Sequence, residues 1–87
     1  MNPHCIASRL EISGVVQGVG FRPFLFTLAQ KHNIKGEVSN TAGGVLARVE
    51  GPSCRMDDFV HGITANPPVL ARVDKIDVTR VPVTGFT

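Results

Sequence analysis

The hydrophobic residues follow two periodicities in turn, and the order of these segments restricts the fold more than any other feature. Alternation at every second residue indicates half-buried strands, and spacing of three to four residues indicates helices. The predicted strands cover residues 6–12, 36–40, 45–50 and 71–80, and the predicted helices cover residues 23–32 and the segment from Pro52-Ser53 to Asn66. The order βαββαβ fits a single domain over residues 1–87.

This order predicts an α+β fold of the ferredoxin-like type. Right-handed strand-helix-strand crossovers place four strands in an antiparallel sheet with both helices on one face. Asn33 is expected to end the first helix in the left-handed conformation, and Ser53 to cap the second. Val73 is out of phase with the residues after it, which predicts a bulge near Asp74. The tail 84–87 is expected to be a last strand cut short, as in a fragment of a larger protein.

Composition and charge exclude several classes of function. Hydrophobic residues make up 43% and charged residues 18% of the chain, which is typical of globular proteins. The net charge of +2 is small and dispersed, so it does not indicate a general nucleic-acid surface. No membrane span or signal peptide is expected, and the predicted location is the cytoplasm. Cys5 and Cys54 are therefore expected as free thiols, and no metal-ligand spacing is present.

One glycine-rich segment carries the chemistry that the sequence suggests. It runs from Gly14 to Pro23, between the first strand and the first helix. Free N–H groups at a helix start favour an anion, and glycines allow the backbone to curve around it. Arg22 adds a two-pronged donor that suits phosphate. The segment lacks the glycine spacing of P-loops and of dinucleotide-binding turns.

Each of these residues also has a simpler interpretation. The glycines can serve only a tight turn, Arg22 can be a solvated residue at a helix start, and Asn40 can bond its own turn. The orientation of Gln17 stays open. An RNA-binding use of the fold needs aromatic side chains on central strands. No phenylalanine lies on the first three predicted strands, and tyrosine and tryptophan are absent from the sequence.

The string VQGVGFR at residues 16–22 resembles the signature of the acylphosphatase family, whose small βαββαβ members hydrolyse carboxyl-phosphate anhydrides. A second motif, GEVSN at residues 36–40, resembles the family's G-x-V-x-N strand ending. The resemblance covers essentially the whole chain. It implies that Arg22 and Asn40 are the catalytic pair. It also implies a phosphate-binding loop, made by Gln17, Gly18, Val19, Gly20, Phe21 and Arg22.

Gly20 and the string FRPF at residues 21–24 are similar to the N-terminal acylphosphatase-like domains of the carbamoyltransferases of hydrogenase maturation. This resemblance implies carbamoyl phosphate as substrate, and phosphate, sulfate or chloride as ions for the loop. It further implies other domains of a parent protein and a HypE-like carbamoyl acceptor as partners. No cofactor is expected for this domain, since ATP and zinc are implied only for the rest of the larger protein. The alternative is a module that binds an anion or docks on other domains without catalysis.

Overall fold

The computed structural model describes residues 4–85 and contains four strands and two helices in the predicted order. They are β1 (Cys5–Val15), α1 (Phe21–Lys31), β2 (Lys35–Thr41), β3 (Gly44–Pro52), α2 (Ser53–Ala65) and β4 (Arg72–Val81). The strands form one antiparallel sheet in the order β2-β3-β1-β4. This arrangement confirms the predicted ferredoxin-like fold.

The core lies between one face of the sheet and the two helices. Leu10 and Ile12 of β1 pair with Ala47 and Val45 of β3, and all four side chains are buried. The helices cover this face with side chains that recur at helical spacing, namely Phe21, Leu25, Met56, Phe59 and Ile63. Full burial of each such large side chain contributes roughly 1.5–3 kcal/mol. Apolar burial therefore holds α1 against the sheet and places its first turn beside the glycine-rich loop.

Helix α1 ends as the sequence predicts but begins two residues earlier. Asn33 has a φ of 59°, which is the left-handed region. The N–H of Ile34 donates to the carbonyl of Ala29 at 2.8 Å, and that of Asn33 donates to Gln30 at 3.3 Å. This pair of bonds is the Schellman ending, which satisfies two carbonyls of the last turn. The ending turns the chain directly into β2.

The prediction that Ser53 caps α2 is wrong. Ser53 is the first residue of the helix and Pro52 precedes it as the capping residue. No side chain among residues 4–85 caps the helix. The reason is that β3 continues without a break into α2, with Pro52 still paired to Cys5. The N–H of Ser53 donates to the carbonyl of His4 at 2.7 Å, so the neighbouring strand satisfies this helix donor.

The predicted bulge near Asp74 is confirmed. Ser13 pairs with Lys75 and Gly14 pairs with Val73, which leaves Asp74 as the extra residue of β4. Gly14 has a φ of 133°, and a Cβ there would overlap the carbonyl of Arg72. The first glycine of the glycine-rich segment is therefore required by the sheet rather than by the loop. Asp74 accepts a hydrogen bond from Arg72 Nε at 2.8 Å and raises the pKa of that guanidinium.

The tail does not form the predicted strand within the described residues, and Phe86 and Thr87 lie outside them. Pro82 has no N–H and so cannot continue the ladder of β4. Instead, the tail is bonded to Glu50, which is only 6% exposed. The Glu50 carboxylate accepts hydrogen bonds from the Thr84 N–H, the Thr84 hydroxyl and the Gly85 N–H at 2.6 to 2.9 Å. These bonds hold residues 84 and 85 beside the buried carboxylate.

Cys5 and Cys54 are exposed free thiols. We expect a thiol-alkylating reagent to modify both in the native protein without reductant, because both residues are exposed and neither is in a disulfide. Mass spectrometry before and after reduction measures this. A pair that becomes reactive only after reduction would contradict the prediction. Between residues 4 and 85, neither helix is long and apolar enough to cross a membrane.

Candidate functional site

The connection between β1 and α1 is shaped by two glycines in the left-handed conformation. Gly18 has a φ of 71° and Gly20 a φ of 79°. A Cβ added at either position would meet no atom within 4 Å. Glycine is therefore favoured here by its backbone conformation and not by a lack of space. The space beside both residues is therefore open to a ligand.

The N–H groups of this loop are free of backbone partners. Within the described residues, none of the N–H groups of residues 16–20 donates to a backbone carbonyl. The first helical bond runs from the Phe24 N–H to the carbonyl of Gly20 at 3.2 Å, and the first turn of α1 contains no acidic residue. The early N–H groups of a helix have no intrahelical acceptor, and the helix dipole is positive at this end. The loop therefore presents an uncompensated set of donors suited to an anion.

Arg22 is the second residue of α1 and is exposed. Its guanidinium makes no hydrogen bond or ion pair with any residue between 4 and 85. A shallow depression is lined by Arg22, Pro23 and Phe26 of α1 and by Val38 of β2. The Arg22 guanidinium thus lies at the helix start, on the side of α1 that faces β2.

Asn40 lies near the end of β2, on the side of the sheet that the helices cover. It pairs with Val45, which pairs in turn with Ile12, and both of these neighbours are buried in the core. Cross-strand partners share a face, so Asn40 points to the helix side. Arg22 lines a depression with Val38, which lies two residues before Asn40 on the same face of β2, so Arg22 and Asn40 lie at the same end of the domain. Asn40 is exposed and so is accessible to a ligand.

Gln17 connects the loop to the turn between β2 and β3. Its Nε2 donates to the carbonyl of Thr41 and to the carbonyl of Gly44, both at 2.6 Å. This contact determines the side-chain orientation that the sequence leaves open. Its side-chain N–H groups are therefore directed at the turn, whereas its backbone N–H belongs to the loop. No sequence pattern signals this contact, because the partners are 24 and 27 residues away.

Two further residues of the predicted phosphate loop serve as anchors through their side chains. Phe21 is 1% exposed, and its ring lies 5.6 Å from that of Phe24. Val19 is partly buried against the same core. The side chains of these two residues pack in the core, so only their backbone N–H groups can take part in the loop. Their packing holds the donors of the loop in place.

A larger concavity lies elsewhere, between α2 and β4. Its lining includes Val60, His61, Ile76 and Val78. It contains none of the predicted site residues and lacks the free donors of a helix start. Among residues 4–85, no group of three or more His, Cys, Asp or Glu side chains is placed to hold a metal. The glycine-rich loop remains the candidate site.

We expect inorganic phosphate or sulfate to bind in the loop, because its N–H groups have no backbone acceptor within the described residues and precede the N-terminus of α1. Titration with phosphate, followed by 1H–15N NMR, should shift the backbone signals of residues 17–22 most. The signals of Arg9 and Arg48 serve as a control, since these residues lie on the polar face of the sheet. Shifts of equal size at the control positions would contradict a loop site.

Comparison with known proteins identifies one family. The acylphosphatase family model matches residues 8–87. The chain is 47% identical over 73 residues to the carbamoyltransferase HypF of Rhodobacter capsulatus, covering 84% of this chain and 10% of that protein. It is 42% identical over 77 residues to the acylphosphatase of Leuconostoc mesenteroides, covering 87% of this chain and 86% of that protein.

The solved structures include a full-length HypF in a phosphate- and nucleotide-bound form. It is 43% identical to this chain and superposes with a TM-score of 0.94 over 99% of this chain and 11% of HypF. The chain therefore spans about a tenth of the length of its HypF relatives and most of the length of an acylphosphatase.

Proposed function

Because the chain belongs to the acylphosphatase family, we propose that it hydrolyses an acyl phosphate, with carbamoyl phosphate as the preferred substrate. One observation carries this proposal. The glycine-rich loop, Arg22 and the exposed Asn40 lie at one end of the domain, where Gln17 joins the loop to the turn beside Asn40. Within residues 4–85, the N–H groups of the loop have no backbone acceptor and Arg22 has no side-chain partner. A phosphoryl group and an attacking water need such an arrangement of donors.

The loop would bind the phosphoryl group of the substrate. The backbone N–H groups of residues 17–21 and the guanidinium of Arg22 donate to its non-bridging oxygens. These donors are in place before the substrate arrives, so they stabilise the charge on the phosphoryl oxygens in the transition state without reorganisation. Arg22 is suited to this role because no carboxylate within the described residues competes for it.

Asn40 would orient the water that attacks phosphorus. Its amide oxygen accepts a hydrogen bond from the water but cannot take a proton at neutral pH. The water oxygen forms a bond to phosphorus while the bond from phosphorus to the acyl oxygen breaks. The proton of the water passes to a substrate oxygen. The products are inorganic phosphate and a carboxylate, which is carbamate when the substrate is carbamoyl phosphate.

The preference for carbamoyl phosphate is proposed from the HypF carbamoyltransferases among the relatives. In this proposal, the hydrolysis is the first step of carbamoyl transfer in the maturation of nickel-iron hydrogenases. The carbamate passes to another domain of a longer protein and then to a HypE-like acceptor. ATP and zinc belong to those other parts, and this domain uses no cofactor.

Phosphate release from carbamoyl phosphate, compared with release from benzoyl phosphate, tests the proposal. We expect the protein to turn over both compounds, with the higher kcat/KM for carbamoyl phosphate. Turnover of benzoyl phosphate alone would support the hydrolase and contradict the substrate preference. Phosphate binding in the loop without turnover of either compound would instead support a non-catalytic anion-binding or docking module. The presence of stand-alone acylphosphatases of nearly the same length among the relatives favours the hydrolase.

A further inference from the structure

A single side chain connects the two parts of the candidate site. The Nε2 group of Gln17 has two N–H bonds, and it donates to the carbonyls of Thr41 and Gly44 at 2.6 Å each. Thr41 and Gly44 are paired with each other and close the turn between β2 and β3. The amide of Gln17 is thus bonded to both strands of this hairpin at the point where they meet.

Packing does not hold the end of β2 in place. Residues 39–43 are all exposed, in contrast to the buried β3 residues that follow. Among the described residues, the two bonds from Gln17 are the side-chain hydrogen bonds that reach this turn from another part of the fold. Asn40 immediately precedes Thr41 in the chain. A shift of the Thr41 carbonyl would therefore move Asn40 relative to the loop.

We propose that Gln17 is a positioning residue that sets the distance between Asn40 and the phosphate loop. The inference rests on the proposed function, in which Asn40 orients water toward a phosphoryl group bound by the loop. A displacement of about 1 Å in such a pair is enough to lower the rate about 100-fold. Gln17 acts through the hairpin, and its side-chain amide is directed at carbonyls rather than at the substrate.

Gln17→Met tests this role, because methionine has a similar length and no donor. We expect kcat for carbamoyl phosphate to fall about 10- to 100-fold, while the inhibition constant of inorganic phosphate changes less than about 3-fold. Gln30→Met is the matched control, since Gln30 is exposed on α1 and should leave both constants unchanged. If Gln17→Met does not fold, Gln17→Asn is the second variant. It keeps the amide but shortens the side chain by one methylene, which draws the amide away from the carbonyls of the turn.

A double variant separates a positioning role from a general structural one. If Gln17 acts through Asn40, adding Gln17→Met to Asn40→Ala should cause no further loss of kcat. Losses that multiply would overturn the inference. A normal kcat in Gln17→Met, or an effect confined to phosphate affinity, would also overturn it.

Absence of turnover in the unmodified protein would contradict the proposed function alone. In that case the 15N NMR signal of the Asn40 side-chain amide reports whether this residue has moved. The inference requires that Gln17→Met shifts this signal and that Gln30→Met does not. An unchanged signal in Gln17→Met would overturn it.

Discussion

Replacement of Arg22 by alanine is expected to abolish phosphate binding and to lower kcat/KM by hundreds- to thousands-fold. Arg22 is the only cationic side chain between Gly14 and Pro23, and it has no competing partner in the described part of the chain. Loss of a charged donor to a phosphoryl group costs roughly 3–5 kcal/mol of transition-state stabilisation. Phosphate release and competitive inhibition by inorganic phosphate measure the two effects.

Arg48→Ala is the matched control for charge. Arg48 is also exposed, but it lies on β3 opposite Arg9 and Glu37, on the face of the sheet away from the helices. We expect its removal to leave kcat/KM within about 2-fold, because exposed charges at a distance are screened by salt. Arg22→Lys should recover only part of the activity, since lysine lacks the two-pronged geometry. Equal losses in Arg22→Ala and Arg48→Ala would indicate a nonspecific charge effect and contradict the assignment.

Replacement of Asn40 by alanine is expected to lower kcat while leaving the affinity for inorganic phosphate nearly unchanged. The interaction with the attacking water exists mainly on the way to the transition state, so its loss affects kcat rather than ground-state binding. The donors of the loop and Arg22 stay in place in this variant. Steady-state kinetics with carbamoyl phosphate, together with inhibition by phosphate, separate the two constants.

The stability of this variant needs a control because Asn40 lies next to a turn. Loss of a turn hydrogen bond costs about 1 kcal/mol of unfolding free energy, which urea unfolding detects. Asn66→Ala is a suitable comparison, since Asn66 is exposed and lies at the end of α2. A folded Asn40→Ala protein with normal kcat would show that Asn40 only supports the turn.

Local patterns in the sequence were sufficient for most of the fold. The alternation in β1 and the helical spacing of Phe59 and Ile63 depend on neighbouring residues, and each predicts which face is buried. Asn33 ends α1, and the bulge falls at Asp74, because the backbone preference of an asparagine and a break in strand phase are both local properties. The prediction failed at Ser53 because it considered only neighbouring residues. The Ser53 N–H donates instead to the carbonyl of His4, which is distant in sequence.

The candidate site shows the same division between local and distant contacts. The sequence alone indicated the glycine-rich loop, Arg22 and Asn40, since each of them lies in a motif that is continuous in the chain. Only the tertiary structure placed these residues at one end of the domain, with Gln17 bonded to the turn beside Asn40 and Glu50 bonded to the tail. These last contacts join residues 24 to 35 positions apart. Short-range preferences carry no information about such pairs, because chain topology brings them together only when the sheet forms.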